Sequence, residues 1–429
     1  MRYTARLTPR KMINNLLRFF IVPFVNNQDW NLGLRRSAKV VLLRICLLVC
    51  LVVQVSSISA QDSSHIRISL LTCTPGEELY STFGHTAIRV TDSSSLNDIV
   101  FNYGTFNFED PSFYTKFIRG KLLYYLSAEK FEDFKYDYEA SGRGITEQLL
   151  NLDAEEKIRI TEALYLNIKP ENSTYKYDFF FDNCTTRPRD LLVRSKKNVP
   201  AFKAVMPEGT RFRQAIHQYL DQNGKPWSKL GIDLLLGLPT DAIMSVTQSQ
   251  FLPDNLMKTL DSSNEQREWV VSSKELFPYT PPSAAHSIFT PLVVFSLIAV
   301  AIFLLSLSAN PKLILILQGF DGLLFFLTGA IGVLLIFMWA GTDHAMCKYN
   351  HNLLWALPTH LVMSFFLRSS KSWVKKYFAI TAILGVLLLV SWFFLPQELN
   401  NAFLPLLLLL IYRSYQYSSS EKKALNLIH

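Results

Sequence analysis

The chain has 429 residues, enough for two or three domains and too many for a small disulfide-stapled scaffold. Its 49% hydrophobic content and mean hydropathy of +0.16 exceed what a soluble globule needs, while 18% charged residues is too many for a pure membrane bundle, so unlike segments are averaged. The net charge of +8 excludes little by itself, because residues 61–285 carry 25 Lys and Arg against 30 Asp and Glu, and the positive excess instead flanks apolar runs; nucleic acid is thereby excluded as the partner of the charge.

Residues 45–55 form an 11-residue apolar core after Arg35, Arg36, Lys39 and Arg44, followed by small residues through Ser59 and Ala60. This pattern predicts a secretory signal over residues 1–60, with an uncleaved anchor starting near Val40 as the alternative, and both export the chain downstream. Cys46 and Cys50 fall in that segment, leaving Cys73, Cys184 and Cys347, an odd number that leaves at least one thiol free.

Residues 61–285 are rich in Phe and Tyr and read as one exported α+β domain. Ile66–Leu71 predicts a strand, and Thr86–Val90 with Ile99–Tyr103 predicts a hairpin across a polar turn. Phe131, Phe134 and Tyr138 have helical spacing within 129–140, and Asp153 with Glu156 forms a capping-box start for a helix through Leu166. Tyr175–Phe181 predicts a strand, ending in Asp182-Asn183-Cys184 ahead of a helix over Thr185–Arg194 whose first turn must accommodate Pro188.

From Ile288 the chain changes character. Apolar runs at 288–307, 320–340, 353–367, 377–395 and 402–412 predict five transmembrane helices within 286–429. With the exported domain outside, the inside segments contain Lys312, Arg368, Lys371, Lys375, Lys376, Arg413, Lys422 and Lys423, whereas the outside loops contain only Lys348. Gln318 and Asp321 are expected at the cytoplasmic interface.

A cysteine at a strand-to-helix junction is a candidate nucleophile, because the helix dipole and free amides there stabilise a thiolate and can donate to an oxyanion. Cys184 occupies that position, although a buried structural thiol or a disulfide with Cys73 or Cys347 would equally fit its spacing. Three histidines compete to be its base. His65 lies beside the signal and reads as mobile, and His217 lies off the Phe212, Ile216, Tyr219, Leu220 stripe and reads as solvated. His85, at a strand start after Gly84, is preferred as general base, with Asn102 on the neighbouring strand orienting its ring. Tyr103, Arg143 and Asn183 are candidate substrate-binding residues. The outside loop at 341–352 adds His344, Asn350, Asn352 and the following Trp355 as residues that bind head groups or brace the exported domain; their spacing matches no tight zinc pattern, and no metal or cofactor is expected. Phe106, Phe108, Phe113 and Phe179–Phe181 suit either an acyl groove or a core.

The runs LLTCTPGEELYSTFGHTAIRV, VFNYGTFNF and YDFFFDNCTTRPRDLL, together with TDHAMCKYNHNLLWALPTH, resemble the Lnb-type bacterial lipoprotein N-acyltransferases. The resemblance implies an exported domain that is a circularly permuted papain-like (NlpC/P60-type) fold, followed by a five-helix transmembrane bundle in the bacterial inner membrane. It implies a phospholipid acyl donor, a diacylated lipoprotein acceptor and a thioester on Cys184. Two other classes fit the bare residues: a membrane-anchored cysteine peptidase or amidase acting on cell-wall peptides, and a non-enzymatic membrane scaffold.

Overall fold

The computed structural model describes residues 65–264, 267–278 and 288–419. The signal or anchor expected over 1–60, with Cys46 and Cys50, and the basic pair Lys422 and Lys423 lie outside the described residues.

Seven strands form one antiparallel sheet: β1 (Ile66–Cys73), β2 (His85–Asp92), β3 (Asn97–Thr105), β4 (Leu123–Lys130), β5 (Ile145–Leu150), β6 (Thr174–Lys176) and β7 (Val270–Phe277), in the order β6-β4-β3-β2-β1-β5-β7. β1 lies inside the sheet, and Ile68 through Cys73 are buried on both faces, which is why this strand reads as a nearly continuous apolar run. The predicted hairpin is β2–β3, paired from Ile88 and Phe101 to Asp92 and Asn97.

Helix α1 (Phe113–Ile118) lies between β3 and β4, and α2 (Phe131–Ala140) buries Phe131 and Phe134, as their spacing predicts. Helix α3 (Ala154–Asn167) starts at the expected capping box: Glu156 N donates to Asp153 Oδ1 at 2.8 Å, and Asp153 N to Glu156 Oε2 at 3.0 Å. The strand predicted over Tyr175–Phe181 is cut to β6. Asp178 turns the chain by accepting from Phe180 N and Phe181 N, and backbone bonds between Asp178 and Asp182 close the loop. Helix α4 (Thr186–Ser195) follows, with Pro188 third in the helix, where no amide is missed. Helices α5 (Phe212–Gln222), α6 (Pro226–Leu235) and α7 (Pro253–Ser262) follow ahead of β7, with shorter helical turns at Pro170–Ser173 and Val246–Ser249.

The apolar C-terminal region forms α8 (Pro291–Ser306), α9 (Pro311–Ala340), α10 (Thr359–Met363), α11 (Ser372–Ser391) and α12 (Leu404–Ser419). Among the described residues, two helical segments are long and apolar enough to cross a bilayer, Pro311–Ala340 and Ser372–Phe394. The apolar run at 353–367 is not one helix, because Pro358 interrupts it and only short helical turns surround α10. Asp321 departs from its expected interfacial position. It is fully buried, accepting from Arg413 Nε (2.7 Å), Arg413 Nη2 (2.6 Å) and the Tyr417 hydroxyl (2.8 Å), so Arg413 is a paired internal cation rather than a free charge at the inner surface.

Sheet and membrane helices belong to one compact unit. The C-terminal end of α6 leaves carbonyls without helical partners, and the 341–352 loop supplies donors for them. Asn350 Nδ2 donates to Leu234 O (2.8 Å) and Leu235 O (3.1 Å), while Asn352 Nδ2 donates to Asp233 O (3.0 Å). Gly237 N donates to Met346 O at 2.8 Å, adding a backbone tie between the two regions.

Candidate active site

Three adjacent strands and one helix start bring the site together. His85 opens β2, and its Nε2 lies 3.1 Å from Asn102 Oδ1 on β3. Asn102 Nδ2 in turn donates to Glu129 Oε1 on β4 at 2.8 Å, which fixes the amide orientation. Since the Asn102 oxygen can only accept, Nε2 carries the ring proton in the neutral imidazole, leaving Nδ1 as the basic nitrogen.

Two glycines permit this arrangement. Gly84 has φ +80°, and a Cβ there would lie 2.6 Å from Cys73 O. Gly104 has φ +92° at an irregularity in the β3–β4 pairing, and a Cβ there would press on Cys184 Cβ at 3.3 Å. β3 therefore passes the cysteine closely.

Cys184 precedes α4 and is partly exposed, whereas Cys73 and Cys347 are buried; all three are free thiols, so neither alternative disulfide forms. Asn183 anchors the junction. Its Oδ1 accepts from Thr185 N and Thr186 N, both at 2.8 Å, and its Nδ2 donates to Phe179 O (2.7 Å) and Phe251 O (2.9 Å). The Thr86 and Thr185 hydroxyls, 3.1 Å apart, tie the helix start to β2. The amides of residues 185 and 186 are thus occupied by Asn183, and the expectation that they are free for an oxyanion is corrected.

Burial pushes the Cys184 thiol up, but the His85 charge and hydrogen bond, with the Thr86 amide and the Thr185 hydroxyl, bring it below the ordinary thiol value. Burial pushes His85 down, yet the Cys184 thiolate and the bonds to Cys184 and Asn102 raise it above the usual imidazole value. These opposite shifts favour a thiolate–imidazolium pair. Burial drives Cys73 and Cys347 the other way, each to about 12.

The cysteine and histidine open on a cavity of about 880 Å³. Its walls are mainly apolar and aromatic, including Phe106, Phe108, Tyr124, Tyr177 and Phe179, and the membrane-side loop contributes His344, Met346 and Cys347. Arg143 also lines it, held by a bond from Nε to Thr74 O (2.9 Å) and by stacking 4.4 Å from the Tyr138 ring.

Several expected substrate contacts have other tasks. Tyr103 is buried in the core on the side away from Asn102, accepting from Asn167 Nδ2 at 2.8 Å. Asn183 borders the cavity, but its amide is fully used in holding the Cys184 turn. Asn350 and Asn352 are buried and brace α6, and Trp355 donates to Asn352 Oδ1 at 3.0 Å while packing on Phe403. Of the loop candidates, His344 reaches the cavity. His65 lies 3.5 Å from Asp92 at the end of the β1–β2 pair opposite His85, away from Cys184. His217 is not solvated either: its Nε2 lies 2.7 Å from Asp233, which also pairs with buried Arg213.

Glu129 escaped the sequence reading because a helix was read from residue 129, although Tyr124 and Leu126 alternate as a strand does. Tyr177 and Met346 also line the cavity; both lie inside the runs quoted above, but their residue types alone do not set them apart there.

Two family models match the chain. The Lnb N-terminal periplasmic domain covers residues 56–211 and the Lnb transmembrane domain covers residues 283–424. No curated protein and no solved structure matches. The periplasmic match contains His85, Asn102 and Cys184, and the second match contains the cavity loop and the apolar helices. With both parts matched in this order, the chain belongs to the Lnb type of lipoprotein N-acyltransferases, as a membrane protein with a periplasmic domain.

Proposed function

We propose that the chain moves a fatty acyl chain from a phospholipid, through a thioester on Cys184, to the α-amine of the N-terminal diacylglyceryl-cysteine of an exported lipoprotein. The observation that carries the reading is a thiol of lowered pKa beside a histidine in an apolar cavity bordered by a membrane-side loop. An aqueous peptide substrate would need few such walls. An acyl chain needs little else.

In the first half-reaction the Cys184 thiolate attacks the donor ester carbonyl, and the His85 imidazolium gives its proton to the departing glycerol oxygen, releasing a lysophospholipid. In the second, the lipoprotein amine attacks the thioester carbon. His85 takes the amine proton as the amide forms, and the thiolate leaves. Asn102, itself held by Glu129, keeps the ring in one orientation throughout and fixes its tautomer when neutral. Apolar walls limit water at the thioester, which would otherwise be hydrolysed.

In this reading the enzyme sits in the bacterial inner membrane, with residues 61–285 on the periplasmic side, 286–429 as the membrane domain and five crossings in all. The three shorter apolar segments cross with help from their neighbours. Incubating the purified protein with phospholipid and a diacylglyceryl-cysteine peptide, and in parallel with a cell-wall peptide, tests the activity. A peptide heavier by one acyl chain is expected; an unchanged peptide with cleaved cell-wall peptide as the product would replace this reading by the amidase one.

A further inference from the structure

Helix α1 has an apolar surface that the protein leaves uncovered. Phe113 is buried beneath the helix, but Tyr114, Phe117 and Ile118 are 72%, 51% and 46% exposed. Exposed Lys116, Arg119 and Lys121 surround them. Aromatic and aliphatic residues mixed with cations on one short element are the composition of an interfacial membrane segment.

The position of α1 gives this composition a partner. Helix α9 ends at Ala340, and within four residues the chain meets α1: Asp343 N donates to Arg119 O at 3.0 Å, and His344 Nε2 donates to Phe117 O and Ile118 O, each at 3.1 Å. α1 is therefore pinned beside the end of a membrane-crossing helix. Aromatic residues also mark the end of α9 and the chain just ahead of α8: Trp339 packs against Tyr349, and Trp227 donates to Phe289 O. Phe117 also lines the cavity that contains Cys184.

We propose that α1 is an interfacial anchor, seating Tyr114, Phe117 and Ile118 at the headgroup–acyl boundary of the outer leaflet, with Arg119 and Lys121 on anionic headgroups and Phe117 forming the wall between bilayer and cavity. The route past Phe117 rests on the acyl-transfer reading; the seating of α1 in lipid does not.

The test uses full-length protein carrying Cys184→Ala, so that lipid contact is read without turnover. The photoreactive residue p-benzoylphenylalanine is placed at Tyr114, Phe117 or, as an exposed aromatic on α2, Tyr136. Each protein is reconstituted in nanodiscs of phosphatidylethanolamine and phosphatidylglycerol, irradiated and weighed intact. A gain of one phospholipid mass is expected at positions 114 and 117 and not at 136. Adduct at 114 and 117 no greater than at 136 would overturn the anchor, whereas loss of acyl transfer by the unmodified enzyme would overturn only the acyl route.

Discussion

Cys184, Cys73 and Cys347 are the same side chain in three environments, and the differences predict their reactivity. At neutral pH an alkylating agent should label Cys184 and spare the other two, whose thiols burial holds at about 12; peptide mapping after brief iodoacetamide treatment reads this directly. Because the His85 charge lowers the Cys184 thiol, His85→Ala should move the inflection of its pH–alkylation curve to higher pH. The same substitution should cost roughly 10²–10⁴-fold in acyl transfer, the usual contribution of a general base. Asn102→Ala should cost less, since the ring loses its orientation but keeps its basic nitrogen. A thiol curve unmoved by His85→Ala would separate the two residues chemically.

Among the elements, the junction before α4 shows what a pattern of residues can and cannot convey. The placement of Cys184 just ahead of a helix was legible, since Pro188 and the polar Asp182-Asn183 mark a helix start, whereas the strand expected to lead into it is cut short at Lys176 by the Asp178 turn. The task of Asn183 was not, because its two carbonyl partners come from Phe179 and Phe251, the second far along the chain. Asn183→Ala should remove the two amide bonds its Oδ1 accepts at the start of α4, about 0.5–1.5 kcal/mol each, and strand two buried carbonyls. A fall in thermal midpoint, with Cys184 alkylation slowed, is the expected result. Asp321 teaches the same lesson in the membrane. Hydropathy placed it near an edge, but Arg413, 92 positions away, pairs with it inside. Arg413→Leu should leave an unpaired buried carboxylate and cost about 3–5 kcal/mol, read as lost yield of folded protein in detergent.

For the whole molecule, the hairpin, the capping box, the His85–Cys184 pairing and the membrane region were readable from local patterns. The sheet order was not, because β1 meets β5, and β5 meets β7, only where the chain returns after long excursions. The bracing role of Asn350 and Asn352 was half legible, since a polar cluster at a membrane edge has to bind something, and α6 supplies what it binds. Reporter fusions check the orientation that these contacts require: fusions within 341–351 should report periplasm and fusions at Lys375 cytoplasm. A cytoplasmic signal from 341–351 would be incompatible with the hydrogen bonds linking that loop to the exported domain.

The acyl-enzyme is the step on which every other part of the mechanism depends, and intact-mass analysis of the protein given phospholipid without acceptor measures it. The expected result is a gain of one acyl chain that neutral hydroxylamine removes, as it does thioesters, and that is absent from Cys184→Ala. The same acyl mass retained at full occupancy by Cys184→Ala would contradict the account.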